Sequence, residues 1–134
     1  MNENVTYLGD VPMVMTLCME EGSILLNKSI LYHLGQPKQV QLLINVDQHM
    51  LLLKACTIED REAVVIPPVP MEQFEVSGPY LLKKIRKMTG WDDIRPRQIV
   101  GRFIPEYTAI TFDLNSAVPV KLAPFDVSRP SGQN

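Results

Sequence analysis

Apolar residues along this chain alternate or run together in short stretches, and Gly, Pro, Asn and Asp separate them. Residues 13–18 and 23–26 read as strands, with Glu20-Glu21-Gly22 as the turn between them. Asn27 follows where a helix N-cap is expected, because its oxygen can accept from the unpaired amides of a first turn. Ile30, Leu31 and Leu34 supply one apolar helix face, and Gly35 supplies the positive φ that ends it. Val40, Leu42, Ile44 and Val46 then alternate, Asp47-Gln48 makes a hairpin turn, and residues 50–56 return as an apolar strand.

The same order of elements is predicted a second time. Residues 63–66 and 74–76 read as strands on either side of a connector stiffened by Pro67, Pro68 and Pro70. Ser77 or Gly78 caps a helix with Pro79 in its first turn, where a missing amide costs little. Leu81, Leu82, Ile85 and Met88 form its apolar stripe, and Gly90 closes it. Strands 97–104 and 107–114 flank the Pro105-Glu106 turn. The expectation is a strand-rich α+β domain with two short helices. Its parts are a leader (1–12), a first ββαββ unit (13–58), a second (59–114) and a tail (115–134). Val118, Val120, Leu122 and Phe125 could lay a short strand on the body, and the last residues of the tail read as disordered. Isolated hairpins of this length are marginal in water, so strands within 13–26 should pair with the other half.

Composition narrows the function classes. With 134 residues, 46% hydrophobic and 21% charged, the chain is too apolar to stay disordered in bulk. Apolar runs such as residues 50–53 fall far short of the roughly 18 needed for a membrane span. The opening Met1-Asn2-Glu3-Asn4 has no basic region, so a secretory leader is not expected and a cytoplasmic location is. Cys18 and Cys56 are far apart without CxxC or Cys/His spacing, and read as small apolar strand residues. His33 and His49 lack carboxylate neighbours at ligand spacing. Asp92-Asp93 could hold a cation or act as an acid/base pair, but suits an ordinary loop after a helix. No GxSxG, Walker or HExxH pattern occurs. No catalytic residue, metal or cofactor is expected.

Residues 24–56, ILLNKSILYHLGQPKQVQLLINVDQHMLLLKAC, resemble the AbrB/SpoVT-like looped-hinge family: a strand, a short helix ending Leu-Gly, then a hairpin with an acidic turn. Two such units in one chain resemble the MraZ-type tandem arrangement. That likeness implies two halves interleaved as a pseudo-symmetric swapped-hairpin barrel, each covering the other's strand edges. It also implies DNA binding through a basic face. Thr16, Leu17 and Ser23 stand where that family places basic residues, and Asn27 stands where it has proline. The acidic turn at Glu20 and Glu21 would repel phosphate, so the first unit reads as scaffold.

The charge asymmetry lies in the second unit. Lys83, Lys84, Arg86, Lys87, Arg95, Arg97 and Arg102 fall close together, opposed only by Asp92 and Asp93, although the net charge is −2. Helical spacing gathers Lys83, Lys84 and Lys87 opposite the Leu82/Ile85 stripe. These seven are the candidate nucleic-acid-binding residues of a small AbrB-like regulator, with duplex DNA as partner. Tyr80, Trp91 and Tyr107 are candidates for base stacking or for packing. The same charges also suit a solvated helix face. The chain would then be a non-catalytic protein-interaction module, such as an inhibitor or accessory protein of a mobile element. Either reading is compatible with a homo-oligomer in a bacterial or phage-like setting.

Overall fold

A computed structural model gives the fold and describes residues 10–66 and 73–120. The expected leader, proline connector and tail fall mostly outside these residues, Leu122 and Phe125 among them. The first half forms β1 (Val14–Cys18), β2 (Ser23–Asn27), α1 (Lys28–His33), β3 (Gln39–Asn45) and β4 (Met50–Cys56). The second forms β5 (Val64–Val65), β6 (Gln73–Ser77), α2 (Pro79–Thr89), β7 (Arg97–Val100), β8 (Arg102–Ile104) and β9 (Ala109–Asp113). A further short strand, β10 (Val118–Pro119), follows.

The strands make two five-stranded antiparallel sheets, ordered β10-β7-β1-β2-β6 and β5-β3-β4-β9-β8. The halves interleave through four pairings. Corresponding strands meet at β2·β6 and β4·β9, and each half lends its leading strand to the other at β1·β7 and β5·β3. The expected pairing between halves is therefore present. The expected closed barrel is not: both sheets are open among the described residues.

One apolar core serves both sheets and both helices. Met15, Leu17, Ile24 and Leu26 meet Leu51, Leu53, Ile110 and Phe112, with Ile30, Leu34, Leu82 and Ile85 from the helices. The helix ends follow the glycines. Gly35 (φ 83°) sits in a Schellman closure, in which Gln36 N donates to Leu31 O (2.9 Å) and Gly35 N to Tyr32 O (3.1 Å). Gly90 (φ 78°) donates its amide to Arg86 O at 2.9 Å.

Two local expectations need correction. Asn27 makes no side-chain bond to its helix. Its Oδ1 accepts from Val14 N at 3.1 Å and its Nδ2 donates to Pro12 O at 2.8 Å, so it ties the chain entering β1 to the end of β2. The strand expected over 97–104 breaks at Gly101, where the chain leaves one sheet for the other. A β-carbon there would lie 2.6 Å from Ile110 Cγ2 and from Phe112 Cε2. Glycine permits that close approach.

Candidate nucleic-acid interface

Helix α2 carries its charges on the side away from the core. Leu82 and Ile85 are buried, while Tyr80, Lys83, Lys84 and Lys87 are exposed. No ion pair involves these three lysines among the described residues. Together with Arg86, Gly90, Trp91 and Asp92 they line an open cleft of about 800 Å³ between the helix face and the loop after it.

That loop is held by cations at the helix end. Arg86 donates from Nε to Trp91 O (3.0 Å) and from Nη2 to Asp92 O (3.2 Å). Arg86 and Lys87 also stand in the last turn, where positive charge offsets the helix dipole. Thr89 Oγ1 donates to Ile85 O at 2.9 Å, closing the helix from within.

The arginines divide. Arg97 is only 7% exposed, because its register opposite Leu17 puts it on the inner face with Ile99. Its charge is met by Asp93 Oδ1 at 3.2 Å and by the Trp91 ring, 4.3 Å away. Arg95 gives Asp93 its backbone amide (3.1 Å) and its guanidinium (3.1 Å from Nη2), with its side chain 61% exposed. Those bonds from Arg95, side chain first, hold the Asp93 carboxyl below its ordinary range, and the charges of Arg95 and Arg97 add to this. Arg102 lies on β8 in the other sheet. Of the seven basic residues expected to act together, Lys83, Lys84, Arg86 and Lys87 therefore share the cleft. Arg95 and Arg97 belong to an Asp93-centred cluster, and Arg102 stands elsewhere. Spacing carried a signal for that cluster: Asp93, Arg95 and Arg97 alternate, and the last shares strand parity with Ile99.

Other candidates have local explanations. His33 Nδ1 lies 2.9 Å from Ser29 O, and its ring is 5.7 Å from Phe103. His49 Nδ1 lies 3.2 Å from Asn115 Oδ1. Burial pushes the Cys18 and Cys56 thiols up, which lowers their thiolate fraction at neutral pH. Asp92 lines the cleft and Asp93 is taken by arginines. Tyr107 is exposed at the turn before β9. Among the described residues no group of His, Cys, Asp and Glu could hold a metal, and no helix is long and apolar enough to cross a membrane. No protein-family model, curated protein or solved structure matches the chain.

Proposed function

We propose that the chain is a small cytoplasmic DNA-binding regulator of the AbrB-like type, its two halves arranged in the swapped-hairpin manner. It sets α2 against the phosphate backbone of duplex DNA. The observation that carries the reading is the run of Lys83, Lys84 and Lys87 along one exposed face of α2, free of ion pairs among the described residues. Each lysine that takes up a phosphate releases condensed counterions, so affinity arises there without base recognition. Tyr80 and Trp91 border the same cleft and offer apolar contact beside the charges. Arg97 has another task, holding Trp91. Arg95 is engaged with Asp93, which leaves Arg102, exposed on β8, as the arginine available for bidentate pairing with guanine.

A titration of labelled duplex DNA at several salt concentrations tests this. Three lysine–phosphate contacts give a slope of log K against log salt near −3, from about −0.9 per contact. A folded chain that binds no duplex at low salt overturns the reading. The second reading, a protein-interaction module with the same fold, is favoured by one observation: Arg86, Arg95 and Arg97 spend their donors on Trp91, Asp92 and Asp93 within the chain.

A further inference from the structure

Among the described residues, the strand β6 ends its sheet with an open edge. It pairs with β2 over its whole length, from Ser77 opposite Ser23 to Gln73 opposite Asn27. One step past that ladder, Gly78 N donates to Gly22 O at 2.9 Å. Hydrogen-bonded and non-bonded pairs alternate along an antiparallel ladder. The backbone groups of Phe74 and Val76 therefore point at β2, and those of Gln73, Glu75 and Ser77 point out of the sheet. No strand meets them among the described residues.

The interleaved halves make this edge unequal to its counterpart. β2, which corresponds to β6, is covered on both sides, by β1 and by β6. The strand ahead of β6 is β5, which pairs with β3 in the other sheet. The sequence between β5 and β6 contains Pro67, Pro68 and Pro70, which have no amide to donate. Among the described residues, the place that β1 fills in the first half is unfilled in the second.

Charge selects the occupant. Glu75 stands exposed at the centre of the edge strand, opposite Leu25. A second copy pairing antiparallel about the strand centre would set Glu75 against its own equivalent, and like charges directly opposite repel. We infer that the outer edge of β6 receives an extended, lysine- or arginine-bearing segment of a partner polypeptide as a sixth strand. Main-chain bonds from Gln73, Glu75 and Ser77 supply affinity, and Glu75 selects a basic residue across from it. This site is separate from the lysine face of α2 and does not rest on the DNA reading.

The test uses the full chain and two short synthetic peptides, one alternating valine with lysine and the other valine with glutamate. Amide exchange followed by NMR should be fast at Gln73, Glu75 and Ser77 in the free chain and slow with the lysine peptide. Glu75→Lys should transfer the preference to the glutamate peptide. Glu75→Pro removes an outward amide and leaves the bonds to β2 intact, so the lysine peptide should bind about tenfold more weakly. Slow exchange at all three amides in the free chain overturns the proposal, as does a lysine peptide that protects none of them. So does a Glu75→Lys chain that keeps the original preference.

Discussion

The guanidinium carbon of Arg97 stands 4.3 Å from the centre of the Trp91 ring. This contact joins β7 to the loop that closes α2, and Asp93 completes it from the side at 3.2 Å. Arg97→Ala removes the stack, the ion pair and the packing of a buried side chain, and should cost about 2 kcal/mol. Arg97→Lys keeps the charge without the planar fork and should lose roughly half as much. Trp91 is the only tryptophan, so its fluorescence during urea unfolding reads both values. A wild-type midpoint for Arg97→Ala would show that the stack contributes nothing to stability.

Asp93 gives the chain a pH dependence of defined sign. Its folded pKa lies below its unfolded value, chiefly because Arg95 hydrogen-bonds the carboxylate. The stabilisation is fully present above the unfolded value, about 3.9 for aspartate, and is lost as pH falls through the lower folded value. Asp93→Asn should therefore have a lower urea midpoint than wild type at neutral pH. The two curves should converge below about pH 4. Parallel curves across the whole acid range would show that Asp93 is not the titrating group.

Much of this arrangement was legible in the chain because it depends on local pattern. The alternation of Val40, Leu42 and Ile44 and the glycines after each helix have near-neighbour causes, and the elements stand close to where the pattern puts them. What escaped depends on distant partners. Residues 97, 99 and 103 keep one parity through Gly101, so alternation gives no sign that the strand changes sheets there. Asn27 satisfies the rule for a helix cap and also the need of Val14 for an acceptor, and only the fold decides between them. The basic cluster was legible as a count of charges. Its division was not, because the burial of Arg97 depends on its pairing with Leu17 across the two halves.

Glycines here serve two different ends, and substitution separates them. Nothing lies within 4 Å of a β-carbon built on Gly35 or Gly90, so Gly→Ala at either pays only for positive φ, about 1 kcal/mol. At Gly101 the same methyl meets Ile110 and Phe112 at 2.6 Å. Overpacking of that kind costs about 1–3 kcal/mol, occasionally more, so Gly101→Ala should be the most destabilising of the three. Thermal unfolding of the three variants ranks them, and equal losses would contradict the packing account.

The lysine face of α2 makes the sharpest prediction for DNA. Lys84 and Lys87 are exposed and lie off the Leu82/Ile85 stripe, so replacing both by alanine should leave the fold unchanged. If each holds one phosphate, the double variant should flatten the salt slope by about two units and weaken binding alike on every sequence. Arg95→Ala acts differently. It releases Asp93 from its main hydrogen-bond partner, adding a carboxylate with freer charge close to the helix end. Affinity should fall there through repulsion, and Asp93→Asn in the Arg95→Ala background should recover part of it. The measurement is fluorescence anisotropy of two duplexes of unrelated sequence at a series of salt concentrations for wild type, Lys84→Ala/Lys87→Ala, Arg95→Ala and Arg95→Ala/Asp93→Asn. An unchanged slope in the lysine double variant would place the phosphate contacts off α2, and the charge on this helix would then serve solubility or a protein partner.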